Sequence, residues 1–344
     1  MQEQGVGQFF ILGFRGSEIP GWLKDFEQSY GLGGVILFDY NCQTQSYENN
    51  IRSPKQLKEL CSQIHSMRSR PLIFVDQEGG KVRRLKEKLG FAPLPSQSKF
   101  NQLSCAEQLK LIENSFKELK ELGIDFNLSP VIDLNLNPLN PDIGAIERSY
   151  SVHSHEVRKN VLLLNDVAKT INLGLCLKHF PGLGGATVNS HEEITDLSDS
   201  IRTEQLELFY ELGKMISGNA ILISHGIVNP WDKDMPISMS KIGVGKLRQR
   251  LPEALLISDD CQMQGLQKRF QSELACILGI EAGLDMLCIG NNLIAEDAKT
   301  LNYAEAVAKK MTEDLSFRSQ ATNSLLRILR TKAQLNLFAA PNLL

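Results

Sequence analysis

The chain has 344 residues, with 37 Lys+Arg against 40 Asp+Glu, a formal net charge of −3, and 42% hydrophobic residues. That balance excludes a disordered chain, which carries fewer apolar residues and more uncompensated charge. It also excludes the broad basic field of a nucleic-acid binder, and leaves an ordinary globular chain with material for one large core or two average ones.

No stretch approaches the roughly 18 uninterrupted apolar residues of a membrane helix, so no membrane partner is expected. The N-terminal Met-Gln-Glu-Gln lacks the basic region of a secretory signal. The cysteines at 42, 61, 105, 176, 261, 276 and 288 are odd in number and never spaced C-x-x-C. Neither a disulfide framework nor a zinc site is expected from them, and Cys176, Cys276 and Cys288 read as small core residues. Together these features predict a cytoplasmic protein without a metal.

In chain order, the first apolar runs cover residues 8–14 and 34–38, followed by a polar stretch at 42–53 and a helical pattern at 53–69 with Leu57, Leu60 and Ile64 on one side. A third run at 72–76 ends in Asp76-Gln77-Glu78-Gly79-Gly80. A helical pattern at 106–122, a run at 126–133 and a helical pattern at 155–171 come next. The fifth run, 175–180, opens into a Gly- and Pro-rich loop that continues to about Asp196. Beyond it lie a helical pattern at 204–216, runs at 220–225, 255–259 and 284–289, and a helical pattern at 304–315.

The eight runs are apolar throughout rather than alternating, as expected of parallel strands covered on both faces. Regular alternation with helices implies βαβ units, and eight of them predict one (β/α)8 TIM barrel over residues 1–344. The alternative, an open doubly wound sheet, would carry a glycine-rich turn after the first strand. Leu12-Gly13-Phe14-Arg15-Gly16 is not that turn.

A barrel places its active site at the C-terminal ends of its strands. Those ends read Asp76-Gln77-Glu78, Lys178-His179, Ser224-His225 and Ser258-Asp259-Asp260. Packing does not need ionisable groups at the tips of apolar strands, so the set points to an enzyme. Taken singly, each has a plainer reading. The segment 76–84 is a turn with solvated charges, and His191 is a solvated residue on a long loop. Ser258-Asp259-Asp260 is a strand-to-helix junction in which one Asp faces the axis and the other caps. His153 and His155 read as surface residues, with no third metal ligand apparent.

Taken together, Asp-Gln-Glu-Gly-Gly-Lys-Val-Arg-Arg (76–84), Ile-Glu-Arg-Ser-Tyr-Ser (146–151), Lys-His-Phe-Pro-Gly (178–182), Ser-His (190–191) and Ser-Asp-Asp (258–260) resemble a known family. They look like the β-N-acetylglucosaminidase, NagZ-type branch of glycoside hydrolase family 3. The likeness runs in order from about Phe9 to the eighth run. It implies a TIM barrel, to which many members add a second α/β domain for which this chain has no room. It also implies hydrolysis of terminal β-linked N-acetylglucosamine from peptidoglycan-derived muropeptides with retention, by a monomer without a cofactor.

The same resemblance assigns Asp259 as nucleophile and His191 as the acid/base. An imidazole suits that task, since it titrates near neutrality. Asp76, Arg84, Arg148, Lys178 and His179 match the positions that hold the sugar, whose hydroxyls need paired donors and acceptors once desolvated.

Three features depart from the family. Its acid/base loop usually reads Asp-Ser-His, whereas this chain has Asn189-Ser190-His191. An Asn oxygen still accepts a ring proton but carries no charge to stabilise an imidazolium. Such an Asp→Asn exchange costs roughly 10⁴ in turnover in a serine-protease triad. The departure predicts slow or acid-shifted hydrolysis, and a gain in turnover from Asn189→Asp unless Glu192, Glu193 or Asp196 supplies the charge. Leu183 stands where the family often has His. The stretch 42–53 is longer than the usual connection, and reads either as shaping the aglycone side or as an exposed polar insertion. Two other readings compete with hydrolysis: a phosphorylase, since a neutral or cationic acid/base tolerates phosphate, and a sugar-binding barrel that has lost catalysis.

Overall fold

A computed structural model describes residues 3–190, 192–294, 297–335 and 337. Eight parallel strands close into a barrel. They are β1 (Phe10–Gly13), β2 (Gly34–Ile36), β3 (Leu72–Val75), β6 (Phe126–Asn127), β7 (Gly174–Phe180), β8 (Ala220–Ile223), β9 (Leu255–Asp260) and β10 (Met286–Ile289), while β4 (Gln77–Gly79) and β5 (Val82–Arg83) form a separate antiparallel hairpin. Around the barrel the order is β1-β10-β9-β8-β7-β6-β3-β2. Each of the eight apolar runs coincides with one barrel strand to within a few residues, and the strand residues are buried except Asp259 and Asp260 at the tip of β9, which are half-buried.

The run at 126–133 yields only a two-residue strand because Pro130 brings no N–H to the ladder. Pairing resumes at an isolated bridge between Val131 and Lys178. The predicted helical stretches correspond to helices at Pro54–His65, Cys105–Leu122, Ser154–Thr170, Thr203–Leu212 and Thr300–Glu313. Ser53 caps the first by accepting from Gln56 N, and Ser104 and Glu107 form a reciprocal capping box at the second.

Helices not anticipated are Gly21–Tyr30, Lys241–Arg250, Ser272–Ala282 and Leu315–Gln334. The second carries two glycines and the third is apolar on most sides, so neither shows a clean amphipathic period. The last one closes the N-terminal end of the barrel. Its buried Lys332 donates to Gln8 Oε1 at 2.7 Å, Ser69 O at 3.1 Å and Leu32 O at 3.3 Å, tying together the chain just before β1, β2 and β3.

Two irregularities in the ladder shape the opposite, C-terminal end. Between β7 and β8, Leu177 pairs with Ile221 and Phe180 with Ile223, so β7 carries an extra residue at Lys178-His179. Between β9 and β10, Ile257 pairs with Met286 and Asp260 with Cys288, an extra residue at Ser258-Asp259. A bulge breaks the alternation of side chains, and both bulges fall where the ionisable residues lie.

Candidate active site

The β3 strand delivers Asp76 to the barrel mouth, and the β4–β5 hairpin returns the chain beside it. Gln77 fixes that return: its Oε1 accepts from Arg84 N at 3.1 Å and Leu85 N at 3.0 Å, and its own N–H donates to Asn127 Oδ1 at 3.0 Å. The turn needs glycine. At Gly79 the φ is +105° and an added Cβ would lie 2.0 Å from Pro95 O. Arg84 is thereby held with Nη2 3.0 Å from Asp76 Oδ2.

At the β7 bulge both Lys178 and His179 reach the cavity, where strict alternation would admit one. The Lys178 ammonium lies 2.8 Å from Asp76 Oδ1 and 2.6 Å from Glu78 Oε1. Glu78 in turn takes the Arg148 fork, from Nε at 2.7 Å and Nη2 at 2.8 Å. Arg148 also donates through Nη2 to His179 Nε2 at 3.1 Å, which leaves the ring proton on Nδ1 for Asp133 Oδ2 at 2.7 Å. Asp133 accepts as well from Leu183 N at 2.8 Å, so it sets both the ring and the start of the following loop. There Gly184 packs so tightly that an added Cβ would lie 1.7 Å from Leu134 O. Leu183 is buried against the cavity.

At the β9 bulge Asp259 and Asp260 both line the cavity. This corrects the expectation that only one of them faces inward; the extra residue removes the alternation on which it rested. Nor does either Asp cap the next helix, Gln264–Gln267, whose N-cap is Met263; the Asp260 Oδ1 instead accepts from Gln262 N at 2.9 Å in the turn before it. His225, at the end of β8, sits between Ser238 Oγ at 2.7 Å and Asp260 O at 3.1 Å and steadies this strand end.

The loop after β7 brings Ser190 to the cavity wall, with its N–H donating to Asp142 Oδ2 at 2.7 Å. Asn189 is half-buried, and its Nδ2 donates to Glu192 Oε1 at 3.0 Å. His191 lies outside the described residues. His153 and His155 stack on each other in the exposed first turn of their helix. Among the described residues no group of three or more His, Cys, Asp or Glu is placed to hold a metal ion.

The electrostatics keep this cluster ionised. Burial alone would raise the Asp76 carboxyl, but Lys178 and Arg84 outweigh it and hold it well below the usual carboxylate range. At Glu78 burial is likewise outweighed, by Arg148 and then Lys178, and the carboxyl is brought down to about 2. Burial would lower Lys178, yet Asp76 and Glu78 more than restore it. The result is a cavity of about 320 Å³ rimmed by fixed charges of both signs over an apolar floor of Ile11, Ile36, Leu222 and Ile257. Small-ligand sites span about 300–1,000 Å³, so this one is sized for a single small polar ring. Tyr40 and Cys42 form one side. The rim at 42–43 is tied across to Asn292 Oδ1 at 3.2 Å and Leu293 O at 2.7 Å, and the Tyr47 ring packs 5.1 Å from that of Tyr40.

Residues 16–330 match the Glycosyl hydrolase family 3 N terminal domain. The chain belongs to glycoside hydrolase family 3. Two curated relatives are each called β-hexosaminidase. The one from Methylococcus capsulatus is 28% identical over 277 residues, 78% of either chain, and the one from Methylobacillus flagellatus is 29% identical over 276 residues, 76% of this chain and 74% of its own. In structure, a β-N-acetylhexosaminidase from Beutenbergia cavernae superimposes with a TM-score of 0.80 at 23% identity, over 97% of this chain and 98% of its own. That likeness speaks for the barrel fold. The family 3 chain is thus a glycoside hydrolase, and Asp76, Arg84, Arg148, Lys178, His179 and Asp259 all line the cavity at the strand ends.

The motif reading missed Glu78, Asp133 and Asp142. Glu78 stood inside the quoted Asp-Gln-Glu-Gly-Gly segment, and Asp133 ended the apolar run at 126–133; a charge in either place was the available signal. Asp142 carried none.

Proposed function

We propose that the protein is a retaining, exo-acting N-acetyl-β-glucosaminidase. The observation that carries this reading is the convergence of Asp259 with the Asp76–Lys178–Glu78–Arg148–His179 network in one small cavity at the strand ends. The names of the curated relatives support the same substrate class.

In this reading Asp76, Arg84, Arg148, Lys178 and His179 take the sugar hydroxyls and acetamido group. Charge-assisted hydrogen bonds from a preset network cost little reorganisation when the ring enters. Asp259 attacks the anomeric carbon while His191 protonates the leaving oxygen. The glycosyl ester then breaks when His191 takes a proton from water, and two inversions give retention. Tyr40 and Cys42, with the rest of the 42–53 stretch, form the wall that an aglycone meets.

The natural substrate in this reading is a peptidoglycan-derived muropeptide ending in N-acetylglucosamine, cleaved in the cytoplasm by a monomer with no cofactor. The seven unpaired cysteines suit a reducing compartment. No helix among the described residues is long and apolar enough to cross a membrane.

Proton NMR of the first-formed product from 4-nitrophenyl N-acetyl-β-glucosaminide tests the reading. β-N-Acetylglucosamine is the expected first product, with a rate unchanged by phosphate. Sugar 1-phosphate formed in proportion to added phosphate makes it a phosphorylase instead. Tight binding of N-acetylglucosamine without turnover makes it a binding barrel.

A further inference from the structure

The position of Asn189 leaves a question of charge. A histidine that protonates a leaving group and then accepts a proton from water works best beside a carboxylate that stabilises its cationic form. The loop's own carboxylates are poorly placed for that. Glu192 is exposed and takes the Asn189 amide, and Glu193 is exposed. Asp196 accepts from Ser198 N at 2.9 Å and Asn229 Nδ2 at 2.9 Å, facing outward.

A different segment brings a carboxylate to this point. Asp142, in the connection between β6 and the helix Ser154–Thr170, is buried, lines the cavity, and accepts the Ser190 N–H on Oδ2 at 2.7 Å. Its backbone is fixed on both sides: its N–H donates to Asn140 Oδ1 at 2.8 Å, and its carbonyl accepts from Arg148 Nη1 at 2.8 Å. The charge is therefore anchored by the sugar-binding network on one side and by the residue preceding His191 on the other.

We infer that Asp142 is the positioning carboxylate for the acid/base histidine, supplied by the neighbouring connection in place of the Asp that Asn189 replaces. This rests on the reading of His191 as acid/base. It also changes the expectation for Asn189→Asp: with the charge already present, that substitution alone has little to add.

The test compares two leaving groups. The variants are Asp142→Asn, Asn189→Asp and the double variant. An Asn at 142 retains an oxygen for the Ser190 N–H, so the loop keeps its anchor while the charge is lost. A 2,4-dinitrophenyl N-acetyl-β-glucosaminide departs without protonation, whereas N,N′-diacetylchitobiose needs it. General acid assistance is worth about 10²–10⁴-fold.

Asp142→Asn is expected to lower kcat/KM on the disaccharide about 100-fold and on the dinitrophenyl substrate less than about threefold. Asn189→Asp is expected to restore at least about tenfold of the disaccharide activity to the Asp142→Asn variant, and to change the native protein by less than about threefold. Equal losses on the two substrates make Asp142 a structural residue and overturn the inference. So does no loss on either, or a double variant without recovery. A native protein inactive on both substrates overturns the functional reading as well, whereas an active native protein with an unmoved variant overturns this inference alone.

Discussion

Glu78 grips the Arg148 guanidinium through two parallel hydrogen bonds of 2.7 and 2.8 Å, and both side chains are buried. Lys178 reaches the same carboxylate at 2.6 Å. Removing one member of such a pair leaves the others as uncompensated buried charge, at a cost of about 3–5 kcal/mol. Glu78→Gln is therefore expected to lower unfolding free energy by about that much and to weaken N-acetylglucosamine binding. Urea denaturation with and without the sugar measures both; a variant within about 1 kcal/mol of native stability contradicts the role given to this pair.

The same carboxylate predicts an acid dependence. Its ordinary value of 4.5 is lowered to about 2 in the folded protein, so the unfolded chain binds its proton first as pH falls. The stabilisation is fully present above pH 4.5 and is lost as pH drops through about 2. Glu78→Gln is expected to flatten the fall in unfolding free energy across that window. An unchanged slope would mean that other groups set it.

Asp133 fixes which nitrogen of His179 carries the proton. Its Oδ2 takes the Nδ1 hydrogen at 2.7 Å, leaving Nε2 to accept from Arg148 at 3.1 Å. Asp133→Asn can present an N–H to Nδ1 and so favours the opposite tautomer. That change sets two donors against each other at the Arg148 contact. Calorimetric titration with N-acetylglucosamine is expected to show binding weakened roughly tenfold, about 1.4 kcal/mol. Unchanged affinity would detach His179 from sugar recognition.

At the far end of the barrel, burial pulls Lys332 down from 10.5 to about 7, against the partial support of Asp125 and Glu27. Between those values the unfolded chain holds more protons than the folded one, so stability rises with pH above about 7 and is flat below it. The urea midpoint is expected to climb from pH 7 to 9 in the native protein and to lose that climb in Lys332→Met. A midpoint that falls over this range in the native protein contradicts the sign.

The barrel was legible because strands buried on both faces write themselves as apolar runs, and each of the eight runs coincides with one strand to within a few residues. Their C-terminal tips were legible too, since Asp76, Lys178, His179 and Asp259 interrupt those runs with charge or polarity. The bulges were not. One extra residue in an apolar run leaves no mark, yet it turns both Lys178 and His179, and both Asp259 and Asp260, into the cavity. Supporting carboxylates were hidden for a related reason. Glu78, Asp133 and Asp142 act through partners 70, 46 and 48 residues away, a separation that no local pattern records.

The central claim, that this cavity forms a covalent glycosyl ester on Asp259, is tested most directly by trapping. The protein is incubated with a 5-fluoro N-acetyl-β-glucosaminyl fluoride, digested, and the modified peptide located by mass spectrometry. The account predicts one sugar per chain, attached at Asp259 and absent from Asp259→Asn. Labelling of a different residue, or turnover of the aryl glycoside by Asp259→Asn at the native rate, contradicts it.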